Sequence, residues 1–325
     1  MKHSKTAVVA VGGNALIIDE DHRSIPDQYL AAVSASRYIV DLIELGWRVI
    51  ITHGNGPQVG FILRRSELSI SEVPPVPMDY AGADIQGAIG YMFGRALRNE
   101  FAKRKMDDRP VSVVTQVLVD AQDPELERPS KPIGSSLEEG FAKKYAEKEG
   151  WTVREEPGLG WRRVVASPRP VAILEIDAIR DLVNSGYVVV ACGGGGIPVS
   201  ETKDGVFSGV EAVIDKDYVS SLLAQAVGAD LLVILTAVEK VALRFGTKEE
   251  QEIGSLSILE AQRYLREGEF PKGSMGPKVE AIVEFLENGG AAGLITKASS
   301  LTAAMAGRTG TWFYSDEGIP DFVGS

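Results

Sequence analysis

The chain is poor in the residues that most often bind metals or form cross-links. Its 325 residues hold one cysteine, Cys192, and three histidines, His3, His22 and His53. A lone cysteine excludes an internal disulfide framework, and histidines so scattered lack the ligand spacing of a structural zinc site. Positive charge is also in deficit: 34 Lys and Arg stand against 45 Asp and Glu, a formal net charge of −11. Nucleic acid and anionic membrane surfaces are unsuitable partners for such a chain, since both are bound by a basic surface that displaces counterions. No stretch approaches 18 consecutive apolar residues, and no apolar segment of the secretory kind follows the N-terminal lysines. A reducing, cytoplasmic setting is the expectation. Three signatures of nucleotide chemistry are missing as well. They are the Walker A pattern G-x-x-x-x-G-K-[ST], a G-x-G-x-x-G opening a helix, and the H-R-D and D-F-G pieces of a protein kinase.

What is present is a repeating alternation. "TAVVAVGG" is followed by "YLAAVSASRYIVDLIELG" and then "WRVIITHGNG". This is the β-α-β rhythm of a parallel sheet covered by helices. In the first helix Ala32, Ala35, Ile39 and Leu42 recur at helical spacing, and Gly46 stands where the helix should stop. Short apolar runs at residues 111–120, 187–196, 230–238 and 293–296 read as further central strands. "PKVEAIVEFLENGG" reads as a helix with Val279, Ile282, Val283 and Leu286 on one face. The expectation is a single α/β domain over residues 1–325, built on one continuous, mostly parallel sheet. Residues 121–170 break the rhythm. Rich in Pro, Gly and charge, with the turn chemistry of a hairpin in "EPGLGWRRVV", they are expected to form a small protruding lobe.

Three strand exits resemble one another. "AVVAVGGNAL", "VIITHGNGPQVG" and "VVVACGGGGIPV" each run β-branched residues into glycines. Any one of them alone is an ordinary βα turn. In a parallel sheet, however, the exits share one edge, so bare backbone N–H groups converge on a crevice suited to phosphates or carboxylates. Gly12, Gly13, Asn14, Gly54, Asn55, Gly194 and Gly195 are the candidate contacts. Cations must then be placed locally. "EAVIDKDYVSSLLA" opens a helix with Asp215, Lys216 and Asp217, "GSMGPKVEA" puts Lys278 in a first helical turn, and "SKPIG" carries Lys131 in the lobe. Acids at a helix start can simply complement its dipole, and a single lysine is commonly a solvated surface charge. Lys278 opposes that dipole, an arrangement that makes sense if an anion shares the helix end. His53 reads as a strand-end histidine held by backbone.

Taken together, "VGGNAL", "THGNGPQVG", "SKPIG", "GWRRVV", "ACGGGGIPV", "GVEAVIDKD", "ILTAVEKV" and "GSMGPKVEA" closely resemble the carbamate kinases of the amino acid kinase superfamily, in order from about residue 7 to residue 312. The resemblance implies a three-layer αβα sandwich, a homodimer, and reversible phosphoryl transfer between ATP and carbamate with Mg2+, giving ADP and carbamoyl phosphate. By this resemblance Gly12, Gly13 and Asn14 surround the transferring group, and Gly54 and Asn55 the carbamate side. Lys131 reaches down from the lobe, Lys216 sits at the phosphoryl group, and Lys278 holds the nucleotide phosphates. At least one of Asp215 and Asp217 orients the lysines or holds magnesium through water. Thr236, Ala237, Val238, Val241 and Met275 belong to the nucleotide edge. The chain departs from the family at Ser135 and Ser136, where a proline and an aromatic residue are expected. It departs again at Ala242 and Leu243, where an asparagine is expected after "EKV". Two other readings stay open. One is a kinase of the same fold acting on a larger carboxylate, whose pocket the sparse side chains of "THGNGPQVG" do not reveal. The other is a nucleotide-sensing regulatory protein, which has no need of a transfer lysine.

Overall fold

A computed structural model describes residues 5–17, 21–107, 109–156, 160–271, 273–315, 318 and 320, with the side chains of Asn14, Ala15, Ser135 and Glu156 outside the description. Eight strands form the main sheet, in the order Ser255–Ser257, Thr311–Tyr314, Ala292–Lys297, Leu231–Thr236, Thr6–Val11, Arg48–His53, Val188–Val190 and Pro110–Ser112. The pairings are parallel except that Thr311–Tyr314 runs antiparallel to Ala292–Lys297. Thr6–Val11 is buried along its whole length, as a central parallel strand covered on both faces must be. Its residues alternate between two cores. Ala7, Val9 and Val11 pack with Ala32, Ile39, Ile89 and Phe93 of helices Ile25–Glu44 and Met78–Arg104. Val8 and Ala10 pack with Val219, Leu223, Val279 and Ile282 of helices Lys216–Ala226 and Gly276–Glu287 on the other face. The two-residue period of the strand therefore produces three layers, αβα.

Residues 111–120 do not form the single strand of the expected continuous sheet. Pro110–Ser112 ends the main sheet, whereas Gln116–Val119 belongs to a separate four-stranded sheet with Phe207–Gly209, Ile197–Glu201 and Pro170–Ile173. At the break stands Gln86, buried in the helix Met78–Arg104. Its carbonyl accepts from Thr115 N at 2.7 Å, where a strand partner would otherwise be, and its amide donates to Thr115 O at 3.0 Å, an oxygen that also accepts from Ile197 N of the four-stranded sheet at 2.9 Å.

Within residues 121–170, Lys131–Leu137, Gly160–Val165 and Thr152–Glu156 make an antiparallel three-stranded sheet with the helix Glu139–Glu149. This small sheet lies on the helix Gly56–Leu68, and the contact is a backbone approach: a Cβ on Gly60 would lie 2.7 Å from Gly134 Cα. No helix among the described residues is long and apolar enough to cross a membrane.

Candidate active site

The glycine exits of Thr6–Val11, Arg48–His53 and Val188–Val190 meet at the carboxyl ends of the parallel strands, where open α/β sheets hold their ligands. Gly12 N donates to Leu235 O at 3.2 Å and Gly54 N to Val11 O at 2.8 Å, so the first two exits continue the ladder before they diverge. They pack backbone on backbone: a Cβ on Gly54 would fall 2.5 Å from Gly13 N and 3.2 Å from Lys216 Cδ. The third exit is a short 3-10 turn, Gly193–Gly195, with Gly194 against the Asn55 side chain. Gln86 reaches this turn too, donating to Gly193 O at 3.1 Å. His53 lies beneath the exits, its Nδ1–H donating to Gly54 O at 3.1 Å. Burial pushes its pKa down to about 4 against the opposing effect of that bond, so the ring is neutral at physiological pH. The Cys192 thiol is buried and pushed up by that burial, which leaves it inert.

The charged groups arrive from three elements. Asp215 caps the helix Lys216–Ala226, its Oδ1 accepting from Asp217 N at 2.9 Å, while its Oδ2 accepts from Lys131 Nζ of the small sheet at 3.2 Å. The Asp217 side chain is 3% exposed; one oxygen takes Lys216 Nζ and the other takes Lys278 Nζ at 2.9 Å. Burial disfavours charge on Lys216 and lowers its pKa; Lys278 adds to the effect, and Asp217 and Asp215 oppose it. For Asp215 burial acts against ionisation, but Lys131, the Asp217 N–H and Lys216 outweigh it and hold the carboxyl well below the usual carboxylate range.

These groups line a cleft of about 370 Å³ together with Gly12, Gly13, Gly54, Asn55, Gly194, Thr236 and Ala237. A second cavity of about 380 Å³ adjoins it, sharing Thr236 and Lys278, with Val238 and Met275 on its wall. Backbone of Asn14 lies in the turn Gly13–Leu16, and its side chain is outside the description. Two expected contacts are placed elsewhere. Gly195 lies behind the cleft surface, its Cα facing the backbone of Ile214. Val241 is fully buried, paired with Ile253 and donating its N–H to Thr311 Oγ1 at 2.8 Å, so it supports the second cavity without lining it. Of the departures noted above, Ala242 lines that cavity and Leu243 does not. Sequence reasoning missed Gly56 and Pro57, although a Pro just inside a helix start is a readable signal. It also missed Ile133 and Phe245, for which no local pattern exists. One compartment thus offers ammonium groups and backbone amides, and its neighbour a partly apolar cavity. That pair suits an anionic group attached to a larger organic body.

The profile of the amino acid kinase family matches residues 5–297. The chain belongs to the amino acid kinase family. This amino acid kinase is 46% identical to the carbamate kinase of Pyrococcus horikoshii over 94% of its own length and 97% of that protein's. It is also 46% identical to a carbamate kinase-like protein of Escherichia coli K12, over 95% and 98%. Among solved structures, the carbamate kinase from Giardia lamblia bound to AMP-PNP has a TM-score of 0.91 at 37% identity, covering 97% of this chain and all of that one.

Two predictions test the geometry of the amino acid kinase's site. Gly54→Ala is expected to cost about 1–3 kcal/mol in urea unfolding, because its methyl meets backbone that cannot move aside. Gly56→Ala, with nothing within 4 Å of its added methyl, is expected to stay within about 0.5 kcal/mol of the parent. Because the folded pKa of His53 lies below its unfolded value, the unfolded chain binds the extra proton. Stability should therefore fall as pH drops from about 6.5 to about 4, by up to about 3 kcal/mol. Urea titrations across that window should show the slope, and His53→Gln should reduce it.

Proposed function

We propose that this kinase is a carbamate kinase, transferring a phosphoryl group reversibly between carbamoyl phosphate and ADP, and that it works in the direction of ATP. The observation that carries the reading is the convergence of Lys131, Lys216 and Lys278 on two carboxylates at the junction of two cavities. The near full-length likeness to carbamate kinases supports the choice of acceptor.

In the direction of ATP an oxygen of the ADP β-phosphate attacks phosphorus, the P–O bond to the carbamoyl group breaks, and carbamate departs with the electron pair. Both the nucleophile and the leaving group are already anions, so no proton has to move and no general base is required. The obstacle is repulsion. Two unit charges about 4 Å apart cost roughly 4 kcal/mol at an effective dielectric near 20. Fixed cations and N–H dipoles offset that cost as charge moves, which is the main source of catalysis in phosphoryl transfer. Lys216, most deeply set of the three lysines, belongs to the transferring group, and Lys278 belongs to the nucleotide phosphates because it faces both cavities. Lys131 arrives on the small sheet and closes over carbamoyl phosphate. That closure excludes water from a labile anhydride.

Mg2+, as the partner of the nucleotide, would neutralise phosphate charge. Among the described residues no group of three His, Cys, Asp or Glu side chains is placed to hold a metal. This donor set fits an ion carried in by phosphates and water, with Asp215 the carboxylate nearer the cleft surface. We further assign the protein to the cytoplasm, to arginine breakdown and to a homodimer. Support for the last is the exposed face of Met78–Arg104, where Tyr80 and Tyr91 are 65% and 64% accessible.

The test is ATP formation from Mg2+, ADP and carbamoyl phosphate, with acetyl phosphate in parallel. Turnover with carbamoyl phosphate at least about tenfold faster is expected. Equal rates, or none, would reject the assignment. Lys216→Ala should lower kcat by roughly 10² to 10³ with little change in KM for ADP. Lys131→Ala should raise KM for carbamoyl phosphate more than KM for ADP.

A further inference from the structure

A third cavity, of about 290 Å³, lies between the small sheet and the body, at the C-terminal end of the helix Gly56–Leu68, whose first turns line the cleft. Arg163 lines it. This half-buried guanidinium stacks over Trp151 with Cζ 4.7 Å from the ring centroid. Among the described residues it has no hydrogen-bonded or ion-paired partner, although Glu67 and Glu211 flank it closely enough to feel its charge. Each glutamate is tied elsewhere through one oxygen: Glu67 accepts from Arg64 at 3.3 Å and Glu211 from Met78 N at 3.0 Å. No Arg163 nitrogen is among the buried side-chain atoms without a partner, so its donors open onto the cavity, where a carboxylate can satisfy them in bidentate geometry. The remaining glutamate oxygens are acceptors for an ammonium group beside it. Leu63, Ile70 and Val76 supply an apolar part of the lining, and Tyr145 stacks against Trp151 with ring centroids 4.9 Å apart. Burial raises the Glu67 pKa against the pull of Arg64 and Arg163, in keeping with an acceptor not yet fully compensated.

We propose that this cavity binds a free α-amino acid with an apolar side chain, its carboxylate on Arg163, its ammonium on Glu67 and Glu211, and its side chain against Leu63, Ile70 and Val76. The volume lies at the small end of ligand pockets, which suits a molecule of that size. The site is connected to the active centre by short paths. Arg163 pairs with Ile133, two residues from Lys131, and Glu211 is four residues before Asp215, the partner of Lys131. An amino acid that fixes Arg163 against Glu211 therefore sets the position of the small sheet that carries Lys131. Its effect falls on the KM for carbamoyl phosphate, a consequence that rests on the reading of the cleft given above, whereas binding itself does not.

The test is calorimetry on the full chain with each of the twenty L-amino acids, up to about 10 mM. At least one with an apolar side chain is expected to bind. The amine and the carboxylate that each carry that same side chain, isoamylamine and 4-methylpentanoate for leucine, are expected to bind at least about tenfold more weakly. Arg163→Gln should weaken the amino acid by a similar factor. Ile70→Trp fills the apolar wall without touching a charge, and it should abolish binding in a chain that melts normally. Absence of heat with all twenty, an amine that binds as well as its amino acid, or a Kd unmoved in Ile70→Trp would overturn the proposal. If an amino acid binds while carbamoyl phosphate is not turned over, the site stands and the reading of the cleft fails.

Discussion

The structure of the cleft depends on one carboxylate shared by two lysine side chains. Asp217 is almost inaccessible to solvent, and each of its oxygens holds a lysine from a different helix. Without it Lys216 and Lys278 would repel one another in a region where burial already disfavours the charge on Lys216. With it, two lysine side chains from two helices stand side by side on the wall of the cleft. Asp215 repeats the device at the helix cap and brings in the third lysine from the small sheet.

The fold serves this arrangement by controlling distance. The parallel register brings the ends of Thr6–Val11, Arg48–His53 and Leu231–Thr236 level, so their exits open into one crevice. Glycine at position 54 allows the first two exits to touch through backbone, and it leaves space for the aliphatic stem of Lys216. Gln86 ties the third exit to Thr115, at the point where the chain passes from the main sheet to the four-stranded one. Rigid placement of this kind is what charge-driven transfer needs, because a dipole that must reorient during the reaction contributes less.

Much of this was legible in the sequence because it is local. β-branched runs ending in glycine, an acid-lysine-acid helix start and a lysine in a first helical turn are patterns within a few residues. Tertiary contacts decided the rest. Residues 111–120 read as one strand because all are compatible with a strand; at the interruption stands Gln86, some thirty residues earlier in sequence and polar where its helix faces inward. Val241 belongs to a motif expected at a nucleotide edge, yet its N–H bonds to Thr311, seventy residues away, and its side chain fills the core. Gly195 shares a run with Gly194, and only the position of Ile214 separates the one that faces the cleft from the one behind it. Arg163 sits in a motif that drew attention, but its neighbours Glu67 and Glu211 come from distant segments.

The measurement that bears most directly on this account is the steady-state rate of ATP formation by Asp217→Asn, with folding checked by circular dichroism. The side chain keeps its shape but loses its charge, and one of the two oxygens that hold Lys216 and Lys278 becomes an NH2 donor. A kcat lower by about 10²-fold or more in a folded variant is the predicted result. A folded variant with kcat within about threefold of the parent would show that the lysines are organised by something other than Asp217, and would contradict the account.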